Sequence, residues 1–229
     1  MRSRLIPIAG FLIVGGAVLA GIISIAVGEE GPNTFHVAGT ADAQRLFAGI
    51  EQTEAEVGAA DAPVTISVFN DLQCRECADF HFATIPPLVE RLVRPGKARL
   101  ELRHFSQSRK PNEVSAFAAT AAGKQDAQWQ FAQLFFSNLD NIGSRGINDD
   151  FLETLAAAVP RPEFQVAQWQ RDLEDPSVDE RVELDAELAV ELRLPAGPAV
   201  IVDGPGGTRE LSGSPSVPEI EAAVAEVTA

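Results

Sequence analysis

The sequence predicts an α/β fold in which a long run of helices is inserted between the two halves of one small sheet, with an apolar segment in front. Three observations predict it. Residues 64–105 read strand, helix, strand; residues 112–194 carry helical patterns only; residues 199–227 read as a strand pair followed by a closing helix. A strand, helix and strand within about 40 residues form a parallel crossover unit, because parallel neighbours need a long connection.

Taken in order, residues 5–28 carry no charge and are almost entirely Leu, Ile, Val, Ala and Gly. As a helix rising about 1.5 Å per residue, such a segment spans a bilayer core of about 30 Å. Arg2 and Arg4 precede it, and Glu29 and Glu30 follow. Positive residues stay inside, so the expectation is a single-pass transmembrane anchor in the cell membrane. Residues 1–4 are then cytoplasmic and the body is extracytoplasmic. Ala26-Val27-Gly28 is a weak small-x-small site and leaves cleavage open. Residues 29–40, polar with Gly and Pro, read as a stalk. Residues 41–229 read as the globular body, with the helical insertion at 112–194.

Within that body, residues 41–50 form a helix candidate with Leu46, Phe47 and Ile50 apolar, and residues 53–57 alternate weakly as one edge strand. Residues 64–69 are β-branched and alternating, a strong strand signal. A helix is expected over 75–93, with Ala78, Phe82, Ile85, Val89 and Leu92 on one face, a kink at Pro86-Pro87 and a stop at Pro95-Gly96. Residues 98–105 are the next strand. Helices are expected near 112–124, 126–139, 148–158, 162–174 and 177–193. The last would start at a capping box of Ser177 and Glu180. A strand at 199–203 turns at 204–207 into a second at 208–212, and a helix over 216–227 closes the chain.

Composition narrows the function. The chain carries 18 Lys and Arg against 33 Asp and Glu, a net charge of −15. A nucleic-acid partner would require a basic patch to displace counterions, so none is expected. Only two cysteines occur, Cys74 and Cys77, which rules out a four-cysteine zinc site and a multi-disulfide scaffold.

Those two cysteines carry the chemistry. Cys74-Arg75-Glu76-Cys77 lies where a strand ends and a helix begins. Unpaired N–H groups and the helix dipole favour an anion at Cys74, which predicts a thiolate formed below the usual thiol pKa of about 8.5. Cys77 falls one turn deeper on the same face, so the two sulfurs can join or part with little backbone motion. Arg75 favours the thiolate and Glu76 opposes it. A disulfide closing so short a loop has little purely structural value. Cys74, Cys77 and His81 could also be read as a Cu(I) site. Asp71 is a candidate proton relay, although Asp there more often serves a turn or cap.

The chain resembles the DsbA-like branch of the thioredoxin superfamily. The residues that carry the resemblance are Asp61-Ala62-Pro63-Val64-Thr65-Ile66, then Phe69-Asn70-Asp71-Leu72-Gln73-Cys74-Arg75-Glu76-Cys77 with Phe80-His81. Ile85-Pro86, Gly96-Lys97-Ala98-Arg99-Leu100 and Gly197-Pro198-Ala199 follow. The resemblance implies a thioredoxin-like fold with a helical insertion and thiol–disulfide exchange on exported proteins. It implies Cys74 as the attacking cysteine, Cys77 as the buried resolving one, and Pro198 as the family's proline that packs, in cis, against the redox pair. Arg75 and Glu76 depart from the family's usual Pro and aromatic or His between the cysteines. Gly197 replaces the usual Thr or Val before that proline, and Ser67 and Val68 stand where an acidic residue is common. Arg75 and Glu76, with Asp71 and His81, are the candidates for tuning the pair, and Pro198 and Gly197 those for active-site packing and substrate contact.

No bound cofactor or metal is required by this reading. The expected partners are thiols and disulfides of exported proteins and a separate membrane protein that recycles the pair. Two other readings stay open: a redox-inactive thioredoxin-like scaffold, and a copper-handling protein using Cys74, Cys77 and His81. Trp129, Phe131, Leu134, Phe135 and Trp169 read as core of the insertion. His104 reads as a satisfied sheet residue. The acids between Asp172 and Glu191 read as a solvated helix face.

Overall fold

The computed structural model describes residues 36–105, 113–142, 146–195 and 197–229. The expected transmembrane anchor, the cytoplasmic end and most of the stalk lie outside them. No helix among the described residues is long and apolar enough to cross a membrane.

After helix α1 (Thr40–Phe47) come two short strands, β1 (Gln52–Thr53) and β2 (Glu56–Val57). The single edge strand expected over 53–57 is therefore corrected to a small antiparallel hairpin. Glu54 turns the chain at φ 50, which two residues of weak alternation do not announce. The crossover unit is as expected: β3 (Thr65–Asn70), α2 (Arg75–Leu88) and β4 (Arg99–His104), with β3 and β4 parallel and Val68 opposite Leu102. Pro86 and Pro87 lie inside α2 and do not end it. Lacking N–H groups, they leave carbonyls one turn back without helical donors. The backbone then loosens into a π turn over Val89–Val93, where Arg94 N–H reaches the Val89 carbonyl.

The insertion contains α3 (Glu113–Gly123), α4 (Gln128–Ser137), the short α5 (Leu139–Ile142), α6 (Asp149–Ala157), α7 (Val166–Asp172) and α8 (Pro176–Glu191). α8 is capped by Asp175, whose carboxylate accepts from Ser177 N–H at 2.9 Å, not by the expected box of Ser177 and Glu180. Pro176 occupies the first turn, which moves the start one residue earlier. The chain ends with the hairpin β5 (Ala199–Gly204) and β6 (Gly207–Ser212) and helix α9 (Val217–Thr228).

The six strands form one sheet in the order β1-β2-β4-β3-β5-β6. On one face Ile66, Val68, Leu100, Leu102, Val200 and Val202 are buried in a common core with Ile85 and Leu88 of α2 and Ile220 and Val224 of α9. This apolar layer fixes α2 against the sheet, and with it the end that begins at Cys74. On the other face Phe69 and Ala199 pack with Ala189 of α8 and Leu194. Beside them lies an ionic network. Asp185, fully buried, accepts from Arg103 at 2.8 Å, from Arg181 at 3.2 Å and from His104 N–H at 3.0 Å. Glu101 binds Arg181 and the Ser67 hydroxyl. The acidic face of α8 is thus solvated at Glu180, Glu183, Glu187 and Glu191 but not at Asp185.

Inside the insertion, Trp129, Phe131, Leu134, Phe135 and Trp169 are buried as expected, and Trp169 stacks on Phe131 at 6.0 Å. Each indole N–H finds a carbonyl, Ala55 for Trp129 and Ala118 for Trp169. An unpaired buried donor would cost about 1–3 kcal/mol. The bond to Ala55 joins the insertion to the small hairpin.

Candidate functional site

The site begins where β3 stops. The Asp71 carboxylate accepts from Gln73 N–H at 2.9 Å, and the Asp71 carbonyl accepts from Cys74 N–H at 3.0 Å. Asp71 therefore serves the loop, folding it back so that Cys74 becomes the N-cap of α2. The Cys74 side chain does there what Ser or Asp does in most caps: Sγ accepts from Cys77 N–H at 3.1 Å. A donor aimed at the sulfur at the positive end of a helix stabilises negative charge on it.

Cys77 lies one turn in and is buried, whereas Cys74 is partly exposed. Burial first, and then the hydrogen bond to Cys74, push the Cys77 thiol far above its usual range. The Asp71 carboxylate adds to this, and a backbone hydrogen bond from Asp71 opposes it. The pair is therefore asymmetric: an accessible sulfur that accepts hydrogen bonds, and a hidden one that keeps its proton. That is the division of labour an attacking and a resolving thiol require.

The two intervening residues point to different partners. Arg75 forms an exposed ion pair with Asp140 of α5. Glu76 accepts from the Ser214 hydroxyl at 2.8 Å. Gly197, at φ 95, comes so close to Glu76 that a Cβ there would lie 3.3 Å from the carboxylate. The loop of Gly197 and Pro198 therefore lies beside the start of α2, with Pro198 buried ahead of β5. The structure thus gathers Cys74, Cys77, Asp71, Arg75, Glu76 and Gly197 at one end of the sheet.

His81 does not join them in chemistry. It is buried, its Nε2 lies 2.7 Å from Gln133 Oε1, and its ring packs on Trp129 and Phe136. Burial lowers its pKa to about 4, so it is neutral at pH 7. The copper reading loses its third ligand. Among the described residues no group of three His, Cys, Asp or Glu side chains is placed to hold a metal. His104 is likewise buried and lowered to about 3; its Nε2 meets Gln128, and its Nδ1 has no hydrogen-bond partner among the described residues. Sequence reasoning missed Ser214, Asp140 and Gln133. They are 138, 65 and 52 residues from the side chains they bind, and no local pattern signals them.

A family model described as Thioredoxin matches residues 51–224. A probable disulfide bond formation protein D of Bacillus cereus is 29% identical over 154 residues, covering 66% of this chain and 71% of that protein. Disulfide bond formation protein D of Bacillus subtilis is 22% identical over 149 residues, covering 64% and 66%. Among solved structures, oxidised BdbD from Bacillus subtilis has a TM-score of 0.65 at 19% identity, covering 79% of this chain and 98% of that one. DsbA of Chlamydia trachomatis has a TM-score of 0.63 at 19% identity, covering 75% and 90%. These structural likenesses establish the fold.

Proposed function

The chain belongs to the thioredoxin family, in its DsbA-like branch, and is a thiol–disulfide oxidoreductase; from that premise we propose that Cys74 and Cys77 are its redox pair and that it forms disulfides in exported proteins. The observation that carries this is the asymmetry of the pair: Cys77 N–H on Cys74 Sγ at 3.1 Å, with Cys77 itself buried. In the proposed cycle a substrate thiolate attacks Cys74 of the Cys74–Cys77 disulfide. A substrate–Cys74 bond forms and Cys77 leaves with an electron pair, taking up a proton. A second substrate thiolate then attacks the substrate sulfur of the mixed disulfide and expels Cys74 as a thiolate. The substrate loses two electrons and the pair gains them. In that second step the Cys77 N–H, 3.1 Å from Cys74 Sγ, offers the leaving sulfur a hydrogen bond. The relatives' names, disulfide bond formation protein D, support the oxidising direction.

The reduced pair must then be reoxidised. The apolar segment 5–28, with Arg2 and Arg4 before it and Glu29 and Glu30 after, supports anchoring in the cell membrane with the domain outside. A separate redox-recycling membrane protein is the proposed electron acceptor, and Pro198 and Gly197 are the proposed edge of the substrate crevice.

A Cys77→Ala variant tests the reading. It retains the attacking sulfur and lacks the resolving one. Expressed in cells, it should accumulate mixed disulfides that vanish on reduction and in Cys74→Ala/Cys77→Ala. Adducts that persist in the double variant, or none in Cys77→Ala, would refute the assignment. In glutathione buffers, a potential near about −120 mV supports the oxidising direction, and one at or below about −270 mV overturns it.

A further inference from the structure

Glu76 sits two residues after Cys74 and is exposed. It makes no ion pair among the described residues, because Arg75 turns to Asp140 instead. Its carboxylate has a different arrangement. Ser214 Oγ donates to Oε1 at 2.8 Å, and Gly197 leaves the space in which Oε2 rests. Ser214 lies in the loop between β6 and α9, and it holds φ 61 directly after Gly213 at φ 75. A residue with a Cβ is strained in the left-handed region, and the surrounding contacts must offset that strain. In this conformation the loop places the Ser214 hydroxyl at the Glu76 carboxylate.

We propose that Ser214 is a positioning residue for the redox pair: its hydroxyl holds the Glu76 carboxylate against Gly197 and offsets part of its charge, which sets how well the reduced pair is tolerated against the disulfide. This rests on the assignment of Cys74 and Cys77 as the redox pair. The sign follows from electrostatics. Glu76 lies in the segment between the two cysteines, so its negative charge disfavours a further negative charge on the pair, and a donor on that carboxylate weakens the effect. Removing the donor leaves the charge uncompensated, so the reduced form becomes less stable and the protein a weaker oxidant. Removing the charge itself acts the opposite way.

The test is a double-mutant cycle read as the equilibrium constant with glutathione. Ser214→Ala should lower the reduced fraction's equilibrium constant about threefold, a fall of about 14 mV by the two-electron relation. Ser214→Gly, which removes the hydroxyl and relieves the backbone, should give the same shift. Ser214→Asn keeps a donor in a residue that tolerates this backbone and should restore the wild-type value. Glu76→Gln should raise the constant, and Ser214→Ala added to Glu76→Gln should change nothing more. An unchanged constant in Ser214→Ala and Ser214→Gly overturns the proposal, as does a full shift in the Glu76→Gln background. A wild-type chain whose cysteines never equilibrate with glutathione overturns the assignment of the pair instead.

Discussion

Acid should destabilise this fold through His81, and the size of the effect follows from its burial. The imidazole is enclosed by Trp129, Phe136 and Gln133, and burial lowers its pKa from 6.5 to about 4. Between those values the folded chain keeps His81 neutral while the unfolded chain binds a proton. The unfolded state then binds more protons, so stability falls as pH falls, by about 1.4 kcal/mol per pH unit. At pH 4.5 the loss from this one group is about 2.5 kcal/mol, a large part of a typical total of about 5–15 kcal/mol. Other groups lose stability in acid as well. Burial lowers His104 to about 3. Burial opposes the charged form of Glu101, but Arg103, Ser67 and Arg181 outweigh it and hold the carboxyl below its usual value. Glu101 therefore contributes above the unfolded carboxylate range and loses that contribution as pH drops through its folded value. A His81→Gln variant keeps all of these and removes only the first. Urea unfolding followed by far-UV circular dichroism at pH 7 and pH 4.5 isolates the difference. Wild type should lose about 2.5 kcal/mol more than His81→Gln across that interval. Equal losses would mean that folded His81 accepts the proton freely, and the argument from burial would fail.

Asp185→Ala should cost about 3–5 kcal/mol, because it leaves Arg103 and Arg181 beside one fewer carboxylate and the His104 N–H without its acceptor; a urea midpoint shift worth less than about 1 kcal/mol would show the network to be slack. Gly58→Ala should lose at least about 1 kcal/mol, since Gly58 holds φ 128 and a Cβ would stand 3.0 Å from the Arg99 Cα; a thermal melt unchanged from wild type would contradict this. Asp140→Ala breaks an ion pair whose side chains are 59% and 84% exposed, so stability should stay within about 0.5 kcal/mol in urea melts.

Much of this protein was legible in local pattern. Alternation over β3, the helical spacing of Ala78, Ile85 and Val89, and the Gly-Pro turn between β5 and β6 each act within a few residues, where periodicity reports directly on burial. The placement of Cys74 and Cys77 followed from the same short-range logic, because a strand end followed by a helix start needs no partner from elsewhere. The small hairpin at 52–57 was not legible. Its turn is completed by Ala55, whose carbonyl accepts from Leu102 N–H and from Trp129, both far along the chain.

The sequence by itself determined the α/β class, the long helical insertion and a thiol pair at the head of a helix. Only the tertiary structure decided that Cys77 is hidden and Cys74 is not, that His81 is enclosed in an aromatic core with Gln133 as its partner, and that Asp185 leaves its acidic run to hold two arginines. It also decided that Ser214 reaches Glu76. Local pattern fixes which way a side chain faces, but the charge a sulfur or an imidazole can carry depends on which distant atoms exclude water from it, and those are chosen by packing.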